Sequence, residues 1–382
     1  MNKGQGQPFR GGPMPGQGVA LPILPSLDAR IPKWSLDQLR FRRCPLCQSD
    51  NPARLLRPDR LPVAFCAGCQ LWYVSGLPPL EEIQKLYQGY WFSFRPRDLS
   101  ESYAAYLHSD KDRCKEDIRL KRLSALSGGL AGKCLLEIGC GCGEFLVGAR
   151  QRGALVFGND VSEEACSFVR DRLGVRVWPG QLSDSGFCAE FGPMDIVVMS
   201  DLIEHPAEPL RMFESALNVL KVSGLVLMLT PNGGAAPDDP ERAAQWIGFR
   251  VDLDHLQYLS VATVSTLAAR YNCRIEHLET FGYPYLKGID RPAACRAAAL
   301  RSPKQLIKAQ LERSRLTRGA VLGLRALLDR WAGRKSDPRS GTYHLVAILR
   351  KLPEHREARP APAQTAWTAQ SSPLVGFCDR KA

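Results

Sequence analysis

The chain has 382 residues, of which 45% are hydrophobic and 24% charged, a composition typical of a globular protein of one large or two modest domains. No apolar run reaches the roughly 20 residues that span a bilayer, and the N-terminus lacks a signal-peptide core, so the sequence predicts a cytoplasmic protein with thiols rather than disulfides. The net charge of +12 comes mainly from residues 287–382, whereas residues 131–286 are acidic, which bears on partners rather than fold.

The N-terminal part combines a polar leader with a cysteine module. Residues 1–35 are rich in Gly, Pro and Gln, which predicts disorder. The pairs "CPLC" and "CAGC" follow, separated by a stretch long enough to form a ribbon, and this spacing predicts a zinc ribbon over residues 36–76. Its ligands would be Cys44, Cys47, Cys66 and Cys69. A closed set of four thiolates has no open position for a substrate, so the predicted zinc is structural.

Residues 77–130 are interpreted as a helical, aromatic connector, and residues 131–352 as one α/β domain. Seven apolar strands are predicted there, in the order "KCLLEIG", "ALVFGND", "VRVWPG", "MDIVVMS", "LVLMLTPN", "CRIEHLETFG" and "YHLVAILRK". Helical patterns separate most of these strands, which favours a doubly wound, mostly parallel, Rossmann-like sheet.

A basic segment interrupts this domain before its last strand. Residues 283–340 are predicted to be a helical insertion with a basic polar face. Three interpretations remain open, namely a lid packed on the domain, a peripheral contact with the inner face of an anionic membrane, and contact with RNA phosphates. Residues 353–382 have no periodicity and are predicted to be disordered.

A glycine turn follows the first strand of the domain. Glu137 precedes Gly139, Gly141 and Gly143, and the second strand ends in Asp160. The spacing E-x-G-x-G-x-G differs from the dinucleotide-binding pattern and lacks the Lys and Ser/Thr of a P-loop. Glycines at the carboxyl end of a strand let a ligand approach the main chain, and an acid after the next strand suits ribose hydroxyls.

These motifs, with "MDIVVMSDLIEHPAEPL" and "GLVLMLTPN", resemble those of class I S-adenosylmethionine-dependent methyltransferases, and in particular small-molecule O-methyltransferases related to the ubiquinone-biosynthesis enzyme. The resemblance covers residues 133–282 and the "YHLVAILRK" strand. It implies a seven-stranded methyltransferase sheet that binds S-adenosylmethionine. The implied cofactor contacts are Glu137, Gly139, Cys140, Gly141, Gly143, Asp160, Gln181, Leu182 and Ser200.

The segment after the fourth strand carries the candidate catalytic residues. Asp201, Glu204 and His205 follow "MDIVVMS", and His255 lies in "DLDHLQYLS". One interpretation makes His205 or His255 a general base for a substrate hydroxyl. A second uses all four residues to bind Mg²⁺, as some relatives implied by the resemblance do. A third leaves Glu204 and His205 to order the loop.

The sequence therefore predicts a zinc-ribbon-bearing enzyme that transfers a methyl group from S-adenosylmethionine to a hydroxyl of a small molecule or glycan precursor. The alternative is an RNA methyltransferase whose zinc ribbon recognises RNA. Against it, the segment between the cysteine pairs lacks the aromatic and basic interleaving of an RNA platform. A further alternative is a domain that binds the cofactor without catalysis.

Overall fold

The structure is a computed structural model, and it describes residues 21–27, 31–88, 117–182, 184–236, 238–284 and 342–353. The predictions made for residues 1–20, for nearly all of the basic insertion and for the tail from residue 354 fall outside this part of the chain. No helix among the described residues is long and apolar enough to cross a membrane.

The N-terminal module is built from short strands. Its elements are β1 (Arg40–Phe41), β2 (Ala53–Leu56), β3 (Pro62–Cys66), β4 (Leu71–Val74), β5 (Gly76–Leu77) and α1 (Leu80–Gln88). β3 and β4 are buried along their whole length, and each carries the apolar or β-branched residues that favour strands. The first cysteine pair lies in the turns between β1 and β2, and the second lies at the end of β3 and in the turn after it.

The following domain alternates strands and helices. The elements are α2 (Ile118–Ser127), β6 (Cys134–Ile138), α3 (Glu144–Arg150), β7 (Leu155–Asp160), α4 (Glu163–Leu173), β8 (Arg176–Pro179), α5 (Asp184–Phe191), β9 (Met194–Ser200), α6 (Pro209–Asn218), β10 (Leu220–Pro231), α7 (Pro240–Ala243), β11 (Gln257–Tyr258), α8 (Val261–Arg270), β12 (Cys273–Pro284) and β13 (Thr342–Lys351). Helix ends carry the expected signals: Ser162 caps α4, and Gly174 ends it in a left-handed conformation.

Seven of these strands form one sheet in the order β12-β13-β10-β9-β6-β7-β8. β10, β9, β6, β7 and β8 pair in parallel, and β13 is antiparallel to both of its neighbours. All seven predicted strands are confirmed, as is the α/β class. The switch in strand order between β6 and β9 opens a crevice at the carboxyl ends of the strands, where such sheets bind ligands.

Helices cover both faces of the sheet, as a doubly wound fold requires. One face packs Leu135 and Val198 against α2, α3 and α4, and the other packs Leu136 and Val197 against α5, α6 and α8. Neighbouring strand residues thus belong to opposite cores, which explains why the strands are apolar on both sides.

The cysteine module shares its larger sheet with a later part of the chain, whereas β1 and β5 form a two-stranded sheet within the module. Its four-stranded sheet has the order β11-β4-β3-β2, so β11, which lies between α7 and α8 in the sequence, supplies an edge strand. Tyr258 pairs with Trp72, and Gln257 pairs with Tyr73. Trp246, Phe249 and Tyr258 are buried with Trp72 in the core behind this sheet, so these aromatic residues are core rather than pocket lining.

Candidate active site

The glycine turn lies between β6 and α3. Its glycines have φ angles of +70°, +51° and +74° at Gly139, Gly141 and Gly143, a region that side chains rarely adopt. A Cβ atom at Gly139 would come within 2.9 Å of Leu202, and one at Gly143 within 2.7 Å of Leu173, whereas one at Gly141 would meet open space. Gly141 therefore presents bare main chain to a space at the ends of the strands.

Asp160 is the last residue of β7 and orders this turn. One carboxylate oxygen accepts a hydrogen bond from the Gly141 N–H at 2.9 Å, and the other accepts one from the Ser162 N–H at 2.9 Å. The neighbouring Asn159 amide donates to the Gly180 carbonyl at 2.9 Å, beyond β8. These bonds fix the ends of three adjacent strands relative to one another, and they place Asp160 where a ribose-binding acid is predicted.

Glu137 lies below the turn on β6 and is only 4% exposed. Its Oε2 atom has no hydrogen-bond partner among the residues that the structure describes, and burial raises the pKa of this carboxyl group to about 8, although the Arg119 charge opposes the shift. Arg119 is held by the Asp117 carboxylate at 2.6 Å and stacks 4.7 Å from the centre of the Phe145 ring. An orphaned acid beside a held guanidinium suits a ligand that carries both an amino group and a carboxylate.

Arg119 was not among the residues that the sequence predicted as cofactor contacts. The available signal was the Asp-x-Arg pattern at the start of α2, in which the Asp117 side chain caps the helix by accepting from the Arg119 N–H. A capping acid followed by a basic residue is common at helix starts, so the pattern alone does not indicate a ligand contact.

Buried polar atoms without partners concentrate at this edge of the sheet. Among the described residues, the buried side-chain oxygen and nitrogen atoms that lack a hydrogen-bond partner belong to Glu137, Ser200, Glu204, Thr230, His255 and His344. Four of these residues lie on β6, β9, β10 and β13 near the crevice end of each strand, and the others lie in the two segments beside it. Because buried polar groups are normally satisfied, this concentration makes the edge of the sheet the candidate site for a polar ligand.

The remaining predicted cofactor contacts differ in placement. Gln181 is exposed and Leu182 is half-buried in the loop after β8. The sulfur of Cys140 lies 2.9 Å from where a Cβ at Gly158 would stand. The Cys140 side chain thus points into the sheet, and only its main chain can face the cleft.

His205 follows β9 and is oriented by two neighbours. Its Nδ1 atom lies 2.9 Å from the Tyr87 hydroxyl and 3.5 Å from a carboxylate oxygen of Asp254. The Tyr87 hydroxyl donates its hydrogen to the Asp254 main-chain carbonyl at 3.0 Å, so it accepts from His205. A proton on Nδ1 satisfies both the Tyr87 hydroxyl and the Asp254 carboxylate, and we infer this tautomer, in which Nε2 is the basic nitrogen.

Asp254 was also missed by sequence reasoning, although it precedes His255 directly. Burial acts to raise the pKa of Asp254, but the facing imidazoles of His205 and His255 outweigh it, and the pKa falls below its usual range. Asp254 is therefore an ionised, buried carboxylate next to His205, which is the arrangement that stabilises an imidazolium.

His255 and Glu204 form the inner half of the cluster. Burial and the neighbouring His205 lower the pKa of His255 to about 3, so its ring is neutral at physiological pH. Burial and the Asp201 charge raise the pKa of Glu204 well above its usual value. His255 Nε2 lies 3.9 Å from Glu204 Oε1. Burial thus acts against the charged form of both His255 and Glu204.

The main chain joins the two segments that carry this cluster. The Glu204 carbonyl accepts hydrogen bonds from the N–H groups of Leu256 at 2.8 Å and Gln257 at 3.2 Å. Ligand atoms of Glu204, His205 and His255 all lie within 4.8 Å of one another, and Asp201 does not join this group. The structure therefore brings three of the four predicted catalytic residues together.

The four predicted zinc ligands also meet. One sulfur atom each from Cys44, Cys47, Cys66 and Cys69 lies within 4.8 Å of the other three, and all but Cys47 are buried. Burial raises the pKa of Cys44 to about 12. Four thiols so close together, with no carboxylate or imidazole among them, form the donor set that structural zinc prefers.

The glycine turn and the residues after it match a known family. Residues 106–278 match the family model described as "Methyltransferase domain". The chain is 35% identical over 123 residues to a ubiquinone biosynthesis O-methyltransferase of Azoarcus sp. (strain BH72), covering 30% of this chain and 52% of that protein. It is 34% identical over 110 residues to the Aromatoleum aromaticum (strain DSM 19018 / LMG 30748 / EbN1) protein of the same name, covering 28% and 47%. The chain thus spans about half the length of the curated relatives it matches.

Solved methyltransferase structures align with about two thirds of this chain at low identity. A SAM-dependent methyltransferase from Archaeoglobus fulgidus aligns with a TM-score of 0.40 and 19% identity, covering 65% of this chain and 99% of that one. Phosphoethanolamine N-methyltransferase 2 of Haemonchus contortus, solved with S-adenosyl-L-methionine, aligns with a TM-score of 0.37 and 19% identity, covering 61% and 52%. Residues 106–278, less than half of the chain, are thus similar to methyltransferase domains, and the observed seven-stranded α/β sheet is the one predicted for that fold.

Proposed function

We propose that this protein transfers a methyl group from S-adenosylmethionine to a hydroxyl of a small molecule or glycan precursor. The observation that carries the proposal is the orientation of His205, whose Nδ1 faces Tyr87 and Asp254. Its Nε2 is thereby left as the base, in a cluster whose other members, Glu204 and His255, carry unsatisfied polar atoms. Relatives named as ubiquinone biosynthesis O-methyltransferases support an oxygen acceptor.

The cofactor fits the residues at the glycine turn. Glu137 offers an unsatisfied carboxyl oxygen and Arg119 a guanidinium for the amino acid end of the molecule, and Gly141 offers bare main chain. Asp160 lies at the end of β7, where ribose hydroxyls would bind. When bound, S-adenosylmethionine supplies an already activated methyl group, so the protein has mainly to align the acceptor oxygen with it.

Proton removal falls to His205. Its Nε2 accepts the proton of the acceptor hydroxyl as the oxygen forms its new bond to carbon, and the resulting imidazolium passes the proton to solvent. Asp254, ionised and 4% exposed, stabilises the positive ring through Nδ1. Tyr87 fixes the ring plane, because its hydroxyl bridges His205 and the Asp254 carbonyl.

The Mg²⁺ interpretation of this cluster fits poorly. Magnesium prefers oxygen ligands in octahedral geometry, whereas the cluster offers two imidazoles and one carboxylate. Asp201, the second carboxylate that the interpretation needs, does not join the group. We therefore propose that His205 accepts the proton without the help of a metal ion.

The cysteine cluster is proposed to hold one structural Zn²⁺. Helix α8 packs against both cysteine turns: Arg270 donates to the Leu46 carbonyl at 2.7 Å, and Thr263 donates to the Cys69 carbonyl at 3.1 Å. This face of the module is thus engaged within the chain. That packing favours a structural role and a small acceptor over the RNA-recognition alternative.

Transfer can be tested without knowing the acceptor. The full chain is incubated with S-adenosylmethionine carrying a trideuterated methyl group and with extracts fractionated into metabolites, glycans and RNA, and the products are followed by mass spectrometry. The proposal predicts a labelled methyl ether in the metabolite or glycan fraction and none with His205→Gln. A label confined to RNA would contradict the acceptor class, and no label in any fraction would contradict the activity.

A further inference from the structure

Arg57 of the cysteine module is a fully buried cation with all its donors engaged. Its side chain is 0% exposed, and its guanidinium pairs with the Asp59 carboxylate through Nε and Nη2. The other donors reach the Leu253 carbonyl, the His255 carbonyl and the Tyr258 hydroxyl. Five N–H groups thus meet five acceptor contacts, which is the planar fork that distinguishes arginine from lysine.

The acceptors of Arg57 bracket the candidate catalytic segment. Leu253 and His255 lie on either side of Asp254 along the chain, and Tyr258 lies on β11. A guanidinium that binds the carbonyls on both sides of Asp254 fixes the direction of the main chain there. That direction sets where the Asp254 carboxylate and the His255 ring point.

Asp59 is held as firmly as its partner. Its carboxylate accepts from the Trp34 indole N–H at 2.8 Å and from the Leu61 N–H at 3.3 Å, in addition to Arg57. Its side chain is fully buried in the ion pair. Removing charges from water is costly, so a buried pair is weak evidence for added stability. A fully satisfied buried network is instead suited to fixing one arrangement.

A second arginine of the cysteine module, Arg42, binds main chain next to the segment that carries Glu204 and His205. Arg42 donates to the carbonyls of Ala207 and Leu256, each at 2.8 Å, and to the Gln257 side chain at 3.2 Å. The Gln257 amide in turn donates to the carbonyls of Ile203 and Pro206. These bonds enclose Glu204 and His205 from both sides.

We propose that Arg57, paired with Asp59, is a positioning residue of the active site, through which the cysteine module sets the Asp254–His255 segment against His205. This inference rests on the proposed function, because it assigns the cysteine module a role in the same site. It makes the cysteine module part of the catalytic apparatus without contact between Arg57 and any substrate.

The test compares Arg57→Lys with Arg60→Lys in the full chain. Lysine at 57 keeps the charge next to Asp59 but cannot span the separate carbonyls, whereas Arg60 lies in the same turn with an exposed side chain. Three readouts are taken: hydrogen exchange of peptides covering residues 253–258, imidazole NMR signals of His205 and His255, and binding of S-adenosylhomocysteine by calorimetry. Tyr258→Phe is a milder variant that removes one acceptor without leaving a buried charge unpaired.

Arg57→Lys is expected to speed exchange in 253–258 about tenfold, the effect of losing a charge-assisted hydrogen bond, and to shift both imidazole signals. Exchange at β6 and β7 and affinity for S-adenosylhomocysteine should stay within about twofold of the parent. Arg60→Lys should change nothing, and Tyr258→Phe should give a smaller local effect. If Arg57→Lys does not fold, Tyr258→Phe carries the test.

Two results overturn the inference. One is unchanged exchange and unchanged imidazole signals in the variants that fold, and the other is a uniform loosening that includes β6 and β7, which means a purely structural role. Failure of the proposed function is visible separately, since it shows in the isotope experiment as the absence of a labelled methyl ether from the metabolite and glycan fractions incubated with the parent protein.

Discussion

Two clusters in this protein each bring potential metal ligands within 4.8 Å of one another, and they differ in chemistry. The cysteine cluster offers four like donors from two turns of one module. The histidine cluster offers one carboxylate and two imidazoles from two distant segments, and His205 and His255 face Asp254, whose charge suits a proton-accepting ring. The comparison teaches that proximity alone does not define a metal centre, because donor type and surrounding hydrogen bonds decide between holding a cation and moving a proton.

The largest expected effect lies in the cysteine cluster. Cys66→Ser should lose the bound zinc, which we expect at about one ion per chain, and lower the melting temperature by on the order of 10 °C, because metal binding contributes directly to folding. Elemental analysis and calorimetry measure both. Cys134→Ser, a half-buried thiol outside the cluster, is the matched control. A parent protein that contains no zinc would contradict the assignment of the cysteine cluster as a metal site.

The histidine cluster should respond in rate rather than in metal content. His205→Gln should lower kcat by about 10²- to 10⁴-fold, the usual contribution of a general base, on the acceptor found by the isotope screen. Affinity for S-adenosylhomocysteine and the zinc content should not change. His277→Gln, on β12 and paired with Glu279, serves as the control and should retain activity. A normal kcat in the His205→Gln variant would contradict the assignment of His205 as the general base.

The neutral state of His255 gives the protein a pH dependence of stability. Its pKa is about 3 in the folded protein and near 6.5 in an unfolded chain. Because only the unfolded chain binds this proton between those values, stability falls as the pH is lowered from 6.5 toward 3.

This dependence can be isolated by substitution. Between pH 7.5 and 5, the free energy of unfolding of the parent should fall by about 2 kcal/mol more than that of His255→Gln, measured by denaturant titration. Equal losses in the two proteins would show that His255 is not held neutral.

The smallest predicted effect sharpens the role of Tyr87. Tyr87→Phe keeps the ring against His205 and removes the hydroxyl that bridges to the Asp254 carbonyl. A single hydrogen bond of this kind corresponds to about a fivefold fall in kcat. Tyr271→Phe, whose hydroxyl donates to the remote Glu214, should leave kcat unchanged. An unaffected kcat in Tyr87→Phe would assign the orientation of His205 to Asp254 alone.

The strands of the main sheet were predictable because their signals are local. A strand such as Met194–Ser200 is apolar on both faces, which already indicates cover on both sides. The pairing of β11 with β4 was not predictable, because Gln257–Tyr258 is two residues long and its partner lies far away in the sequence. Short strands carry no periodicity, and only tertiary contacts define them.

The residues of the candidate site also fall into two groups, those that could be predicted from the sequence and those that could not. The glycines and Asp160 follow from spacing, and each occupies its expected place at the strand ends. Asp254 and Arg119 could not be predicted from the sequence, because an aspartate before a histidine and an arginine in a charged helix are both common. Their importance comes from facing His205 and Glu137, which depends on the fold.

The central claim, that the glycine turn is a cofactor site, is tested most directly by calorimetric titration with S-adenosylhomocysteine. The account predicts saturable binding by the parent protein, weakened about 100-fold by Asp160→Ala through lost hydrogen bonds to a charged group. Asp171→Ala, an exposed acid on α4, should bind as the parent does. Absence of binding by the parent, or equal binding by Asp160→Ala, would contradict the account.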